Sequence, residues 1–207
     1  MRSCREAGLT THMLTFPAGE TNKTLATASR LFDGLFALTP AVDRRTLVIA
    51  LGGGVTGDLA GFVAATALRG LAFVQCPTTV LADVDASVGG KTGVDHAAGK
   101  NLIGAFHQPA GVLADVRCLA TCSDDVYRDG LAECVKHGII RSAELLEFIE
   151  DHAGGILRRD DGVMTDFLTS NVRIKADVVA EDERESGVRE HLNFGHTVEF
   201  GFKTAFF

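Results

Sequence analysis

The chain has 207 residues, 46% of them hydrophobic, which is enough for the packed core of one large domain or two small ones. Its 20 lysines and arginines against 27 aspartates and glutamates give a net charge of −7, which argues against a general nucleic-acid surface. Five cysteines without Cys-x-x-Cys spacing, no signal-peptide core and no apolar run of bilayer length argue against a disulfide framework, a zinc ribbon and a membrane span, and favour a cytoplasmic protein.

Hydrophobic periodicity predicts an α/β arrangement in the first half of the chain. Residues 22–38 carry apolar side chains at helical spacing and are predicted to form an amphipathic helix. Two apolar runs, TLVIALGGG and AFVQCPTT, are predicted strands, and the apolar segment DLAGFVAATAL between them is a predicted helix that begins near Asp58. Two strands joined by a helix form a right-handed βαβ unit in a parallel sheet.

The second half of the chain is predicted to be helical. Residues 81–107 are rich in Gly, Asp and Lys, and their polarity predicts a long functional loop. The short run GVLAD that follows is a candidate last strand. Apolar residues at intervals of three and four then predict helices over residues 124–140, 143–159 and 163–180. We place the domain boundary near Gly111, so an α/β part spans residues 1–111 and an all-α part spans 112–207.

A glycine pattern follows the first predicted strand. Gly52, Gly54 and Gly57 match Gly-x-Gly-x-x-Gly between a strand and a helix, the context that a Rossmann-like dinucleotide site requires. There a pyrophosphate approaches backbone N–H groups at the positive end of the helix. A tight turn without ligand is the alternative, and it stays open because the acidic residue expected about 20 positions further on is missing. This departure argues against a standard dehydrogenase.

Two further groups of polar residues are candidates for binding. The GGKTG segment is not a P-loop, because Asp85 stands where that motif requires glycine. Its loop is a solvated charged loop, or it binds a phosphorylated, hydroxylated small molecule through Asp85, Lys91, Lys100 and Asn101. Glu133, Lys136 and His137 lie at i, i+3 and i+4 on a predicted apolar helix. They are surface ion pairs, or they face a cleft where the carboxylate binds zinc and the lysine serves acid–base chemistry. His196, in a Gly-His-Thr turn, is a hydrogen-bonded turn residue or a metal ligand.

Six sequence blocks between residues 16 and 197, taken together, resemble the 3-dehydroquinate synthase family of sugar-phosphate cyclases. The resemblance implies a Rossmann-like α/β part followed by an all-α domain, cytoplasmic location and a homodimer. It also implies NAD and zinc or cobalt as cofactors, and a phosphorylated keto-sugar acid as substrate. The blocks are FPAGETNK, ALGGGVTGDLAGF, RGLAFVQCPTT, DASVGGKTGVDHAAGKNLIGAFHQP, GLAECVKHGII and REHLNFGHT.

The resemblance also implies the residues of the active site. The metal would be held by Glu133 and His196. NAD would contact Glu20, Lys23, Gly53, Gly54, Asp58, Thr78, Thr79, Lys91, Lys100, Cys118 and Thr121. The substrate would contact Arg69, Asp85, Lys91, Asn101, Lys136, Lys175, Arg189 and Asn193. In this family NAD oxidises a secondary alcohol, phosphate is eliminated, the ketone is reduced back, and the ring reopens and closes as a carbocycle.

The chain departs from the family pattern near its end. Phe200 stands where the family has a second active-site histidine, and a third metal ligand and a late lysine would fall beyond Phe207. We therefore expect a chain that lacks family segments at both ends. Three alternatives stay open: a sister cyclase of the 2-deoxy-scyllo-inosose or valiolone synthase type, a non-catalytic remnant, and a glycerol-dehydrogenase-like enzyme. The last is not expected to carry the GGKTG segment.

Overall fold

In the computed structural model, which describes residues 1–183, 185 and 187–193, the first half of the chain is an α/β unit and the second half is helical. The elements of the first half are α1 (Arg2–Glu6), α2 (Leu25–Phe36), β1 (Leu47–Gly52), α3 (Gly54–Thr66), β2 (Ala72–Pro77), β3 (Lys91–His96), β4 (Gly99–Phe106) and β5 (Gly111–Val112). Those of the second half are α4 (Asp124–Arg141), α5 (Ala143–Leu157) and α6 (Asp161–Glu181). The predictions of an α/β first half and a helical second half are therefore confirmed.

A three-stranded parallel sheet in the order β1-β2-β5 organises the first half. β1 pairs with β2 from Leu47 opposite Ala72 to Gly52 opposite Pro77. α3 connects these two strands and packs on the sheet, where Leu59 and Phe73 are fully buried. The predicted strand, helix, strand order is confirmed, but α3 begins at Gly54 rather than near Asp58, with Gly53 as its N-cap. The glycine pattern thus forms the first turn of the helix.

The prediction of a long loop over residues 81–107 is wrong. This segment contains a π-helical turn, Ala82–Ala86, and then the antiparallel hairpin of β3 and β4. Gly93 and Gly104 face each other across the hairpin, and a Cβ atom on Gly104 would lie 2.2 Å from the carbonyl oxygen of Thr92. These glycines lower the apolar content of the strands, and β4 is mostly exposed, so the sequence shows too little hydrophobic alternation to reveal a hairpin.

The three helices of the second half pack around one apolar core. α5 contacts both α4 and α6, and the core includes Tyr127, Ile156, Met164 and Phe167. Val80, which follows β2, is part of the same core and joins the two halves. The predicted helices are confirmed. Within the residues described, no helix combines the length and the apolar character needed to cross a membrane.

Candidate active site

The glycine turn between β1 and α3 lies against the residues that follow β2. The backbone N–H of Thr78 donates to the carbonyl oxygen of Gly52 at 3.0 Å. A Cβ atom on Gly53 would lie 3.3 Å from the Thr79 methyl carbon, so the turn approaches this residue closely. Gly57 has a packing role, because a Cβ atom there would lie 2.3 Å from Gln75 Oε1. The carboxyl edge of the parallel sheet therefore presents backbone groups at the start of a helix, the arrangement that binds pyrophosphates.

Beside this turn, a buried lysine joins three segments of the first half. Lys23 Nζ lies 2.5 Å from Asp58 Oδ2 and donates to Asn101 Oδ1, also at 2.5 Å. The backbone brings these side chains together, because the N–H of Asp95 donates to the carbonyl oxygen of Lys23 and the Asp95 carboxylate accepts from the N–H of Asn101, both at 2.8 Å. Burial raises the pKa of Asp58, although the Lys23 ammonium opposes the shift.

An exposed ion pair lies at the edge of the same group. Lys100 Nζ is 3.3 Å from Glu20 Oε1, and the Glu20 charge contributes to the raised pKa of Asp58. The group of Glu20, Lys23, Asp58, Lys100 and Asn101, which we call the Lys23 cluster, thus contains four of the predicted NAD residues and one predicted substrate residue.

A second polar group is buried on one face of α4. Lys136 Nζ lies 2.6 Å from Glu133 Oε1 and donates to the carbonyl oxygen of Leu192 at 2.7 Å. His137 is fully buried, with Nε2 3.4 Å from Glu133 Oε1 and Nδ1 3.2 Å from Asn171 Oδ1 of α6. The three polar residues predicted on this helix therefore face the interior.

The turn Ala82–Ala86 brings a carboxylate to the same place. Asp85 forms an ion pair with Lys175 of α6. Burial raises the pKa of Asp85, but the ion pair with Lys175 and the positive charge of Lys136 outweigh burial and lower it. We call Asp85, Glu133, Lys136, His137, Asn171 and Lys175 the α4 cluster. It lies near the Lys23 cluster, because α3, which carries Asp58, contacts the turn that carries Asp85, and the Asp85 charge contributes to the raised pKa of Asp58.

The α4 cluster has the donor atoms of a divalent metal site. Asp85, Glu133 and His137 each offer one ligand atom, and these three atoms lie within 4.8 Å of one another. Glu133 Oε1 is buried beside the Lys136 ammonium, and His137 Nε2 is buried and makes no hydrogen bond with the part of the chain that the structure describes. Carboxylate and imidazole donors suit zinc and cobalt. The residues present therefore fit such a metal.

The 3₁₀ turn Val188–Asn193 places more predicted substrate residues beside the hairpin. The buried Arg189 guanidinium donates to the carbonyl oxygen of Gly89 at 3.2 Å. Asn193 Nδ2 donates to Glu185 Oε1 at 2.8 Å, and the same carboxylate forms an ion pair with Lys91. Burial acts to raise the pKa of Glu185, but the contacts with Lys91 and Asn193 lower it.

Other predicted residues lie apart from these groups. Arg69 is exposed three residues before β2, at the opposite end of that strand from Thr78, and makes no hydrogen bond or ion pair with described residues. Cys118 and Thr121 lie in the 3₁₀ turn Val116–Thr121, where the Thr121 hydroxyl donates to the carbonyl oxygen of Cys118 at 3.0 Å. His196 and Phe200 lie outside the described residues.

Sequence reasoning missed two residues that contact the predicted site, Asn171 and Glu185. Asn171 precedes Lys175 by one helical turn on α6, so the helical spacing could have placed both on one face. Glu185 follows α6 in a polar segment, and nothing in its local pattern indicates a bond to Lys91 on a hairpin strand.

Family profiles match both halves of the chain. One described as 3-dehydroquinate synthase N-terminal matches residues 13–129, and one described as 3-dehydroquinate synthase C-terminal matches residues 130–202. The 3-dehydroquinate synthase of Symbiobacterium thermophilum is 52% identical over 200 residues, covering 97% of this chain and 55% of that protein. That of Nitrosospira multiformis is 50% identical over 198 residues, covering 96% and 54%. The chain thus spans about half the length of the curated relatives it matches.

Solved structures of related cyclases share the fold. A 2-deoxy-scyllo-inosose synthase complexed with carbaglucose-6-phosphate, NAD+ and Co2+ has a TM-score of 0.84 at 34% identity, over 94% of this chain and 52% of that one. The 2-epi-5-epi-valiolone synthase of Streptomyces hygroscopicus, with NAD+ and Zn2+ bound, has a TM-score of 0.81 at 32% identity, over 87% and 51%. An iron-containing alcohol dehydrogenase from Thermotoga maritima, at 17% identity and a TM-score of 0.60 over 90% and 57%, shares the fold alone.

Proposed function

This chain belongs to the 3-dehydroquinate synthase family, and from that premise we propose that it acts in the NAD- and metal-dependent cyclisation of 3-deoxy-arabino-heptulosonate 7-phosphate to 3-dehydroquinate. This lyase reaction of the shikimate pathway, which leads to chorismate and the aromatic amino acids, releases phosphate. The observation that carries the proposal is the meeting of family-matching residues from distant segments in two adjoining groups, the Lys23 cluster and the α4 cluster.

The two cofactors divide between these clusters in the proposed function. The glycine turn with Gly53 and Gly54 would hold the NAD pyrophosphate through backbone N–H groups, and the Lys23 cluster would hold the adjoining parts of NAD. Glu133, and His196 as predicted by resemblance, would hold zinc or cobalt. Bound NAD would accept and return a hydride from a secondary alcohol of the substrate, while the bound metal would act on that alcohol as a Lewis acid.

The lysines of the α4 cluster and the nearby Arg189 are suited to a substrate that carries phosphate and carboxylate groups. Lys136 and Lys175 each contact a carboxylate of the protein, Glu133 and Asp85 respectively. An anionic substrate would exchange these internal partners for its own phosphate or carboxylate, so the ammonium groups stay paired throughout. Asp85 would then be free to accept hydrogen bonds from substrate hydroxyls, and Arg189 would contribute a further positive charge beside the hairpin.

The degree of similarity supports 3-dehydroquinate synthase over its sister cyclases. The chain is 52% identical to the relative from Symbiobacterium thermophilum but 34% identical to the 2-deoxy-scyllo-inosose synthase of known structure. Both groups use phosphorylated sugars with NAD, so the difference bears on which sugar is turned over and not on the class of chemistry.

The proposal is tested by phosphate release. Folded chain with NAD and Zn2+ is expected to release phosphate from 3-deoxy-arabino-heptulosonate 7-phosphate, but not from glucose 6-phosphate or sedoheptulose 7-phosphate. Lys175→Met is expected to abolish release, whereas Arg44→Met, which changes an exposed residue before β1, at the opposite end of that strand from the glycine turn, keeps it. Turnover of one of the other sugars would identify a sister cyclase. No release from any substrate by a folded chain would identify a non-catalytic remnant.

A further inference from the structure

Arg159, which follows α5, has a backbone conformation that favours glycine. Its φ angle is +58°, in the left-handed region, at the position just after the C-cap residue Arg158. There the N–H of Asp160 donates to the carbonyl oxygen of Gly155 at 3.0 Å and closes the end of the helix. Glycine is the usual residue at such a position, because a side chain strains the backbone. A strained arginine here indicates that its side chain makes contacts that glycine could not make.

The guanidinium of Arg159 contacts the segment that precedes α4. Its Nη1 donates to the carbonyl oxygens of Leu119 and Cys122, at 3.0 and 2.8 Å. Its Nη2 donates to Asp124 Oδ1 at 2.6 Å. The guanidinium carbon lies 4.4 Å from the centre of the Tyr127 ring, so a cation–π contact also holds the group in place. The side chain therefore ties the segment before α4 to the corner between α5 and α6.

The segment that Arg159 contacts is the 3₁₀ turn Val116–Thr121, which follows β5 at the carboxyl edge of the parallel sheet. Because β5 and β1 both run parallel to β2, the chain leaves β5 at the edge that carries the glycine turn. Ligands of open parallel sheets bind at this edge. Leu119 is buried in the core of the helical half, whereas Thr121 is exposed. The turn is thus held on its inner side by Leu119 and Arg159, and it presents Thr121 where a dinucleotide would lie.

A short 3₁₀ turn gains from such support, because its own hydrogen bonds are few and their geometry is poor. In this turn the N–H of Cys118 donates to the carbonyl oxygen of Asp115 at 2.9 Å, and the N–H of Cys122 donates to that of Leu119 at 3.1 Å. Arg159 adds charge-assisted hydrogen bonds, which are stronger than these neutral ones. Without them, a ligand would have to order the turn as it binds, and the lost entropy would lower its affinity.

We propose that Arg159 is a positioning residue for the cofactor, which holds the turn Val116–Thr121 in the conformation that binds NAD through Cys118 and Thr121. The inference rests on the proposed function in one respect, the contact of this turn with NAD. Arg159 itself contacts neither cofactor nor substrate and acts only through the turn. Its loss should therefore weaken NAD binding and leave the binding of the sugar phosphate unchanged.

Fluorescence titration with NAD tests the proposal without any assay of turnover. Arg159→Gly relieves the backbone strain but removes the guanidinium, so we expect it to fold and to melt no lower than Arg159→Met. Both variants are expected to bind NAD about 10-fold more weakly than the native chain. Arg159→Lys keeps a cation near the carbonyl oxygens and should regain part of the loss. Arg158→Met changes the exposed neighbouring arginine and serves as the control, with unchanged NAD affinity.

Chemical rescue separates positioning from a general loss of stability. Guanidinium chloride, well below denaturing concentrations, is expected to restore part of the NAD affinity of Arg159→Gly, whereas sodium chloride at the same concentration is not. Equal NAD affinity of the native chain and Arg159→Gly would overturn the proposal, as would a loss that Arg158→Met shares.

Phosphate release measured on the same samples distinguishes this inference from the proposed function. Arg159→Gly is expected to raise the KM for NAD and to leave the KM for the sugar phosphate unchanged. An equal rise in both KM values would show a general structural role and would also overturn the proposal. A chain that releases phosphate while Arg159→Gly binds NAD normally contradicts only this inference. Weaker NAD binding by Arg159→Gly, in a chain that releases no phosphate, contradicts only the proposed function.

Discussion

The Lys23 cluster and the α4 cluster both contain lysines, carboxylates and an asparagine, but they differ in how their buried atoms are satisfied. In the Lys23 cluster, one ammonium contacts Asp58 and Asn101, both at 2.5 Å. In the α4 cluster, Glu133 Oε1 lies 2.6 Å from the Lys136 ammonium, but His137 Nε2 is buried without a hydrogen bond to the described residues. Paired charges hold segments of the fold together, whereas a buried donor atom without a hydrogen bond is suited to a ligand that binds later. We therefore expect stability to depend on the first cluster and metal affinity on the second.

The largest expected effect is on the buried ion pair of the Lys23 cluster. Lys23→Met leaves the Asp58 carboxylate and the Asn101 amide without their shared donor, so we expect the free energy of unfolding to fall by about 3 kcal/mol. Urea denaturation followed by circular dichroism measures this change. The double variant Lys23→Met/Asp58→Leu is expected to regain at least half of the loss. Equal stability of the native chain and Lys23→Met would show that the pair does not hold these segments together.

The second effect concerns the α4 cluster, where we expect a bound metal to stabilise the fold. Zn2+ at 100 times its dissociation constant is expected to raise the free energy of unfolding by about 2.7 kcal/mol. Glu133→Gln removes a ligand and should abolish this gain, while Glu144→Gln, at an exposed carboxylate on α5, keeps it. Thermal melts with Zn2+ and with a chelator measure both. A gain that survives in Glu133→Gln would place the metal elsewhere.

A buried carboxylate without a hydrogen-bond partner among the described residues lies two residues before Asp85. Asp83 is buried, neither of its carboxylate oxygens makes a hydrogen bond within the described part of the chain, and burial raises its pKa to about 7. Between about pH 4 and pH 7 the folded chain therefore holds a proton that the unfolded chain has lost. The stability that this proton contributes is fully present below pH 4 and is lost as the pH rises through 7.

Replacing Asp83 by asparagine should remove this pH dependence. Relative to Asp83→Asn, the native chain is expected to lose about 2–3 kcal/mol of unfolding free energy between pH 5 and pH 8. Denaturation at both pH values with a chelator present measures it, so that loss of metal does not contribute. Asp33→Asn, at an exposed position of α2, is the control. Parallel pH profiles for the native chain and Asp83→Asn would mean that Asp83 has a partner in solution.

Features of the fold that leave a local sequence pattern could be predicted, whereas contacts between distant segments could not. Apolar runs and helical spacing predicted the parallel strands and the three long helices, because burial of one face leaves a local pattern. The hairpin of β3 and β4 was missed because exposed polar residues and paired glycines conceal its alternation. Local spacing predicted the glycine turn and the group of Glu133, Lys136 and His137. Contacts between distant residues, such as His137 with Asn171, depend on how helices pack, so the rest of the predicted site came only from the resemblance to a family.

The smallest expected effect separates the buried and the exposed pairs within the Lys23 cluster itself. Lys100 and Glu20 are 3.3 Å apart, with side chains 71% and 41% exposed, whereas Lys23 is 5% exposed. Solvent and salt screen the outer pair, so Glu20→Gln should change the free energy of unfolding by no more than about 0.5 kcal/mol. Its predicted contact with NAD should make the same variant bind NAD more weakly, which fluorescence titration measures. If Glu20→Gln destabilised the chain as much as Lys23→Met, the whole cluster would be structural. A loss of NAD affinity without a loss of stability would instead divide it into an inner pair that holds the fold and an outer pair that meets the cofactor.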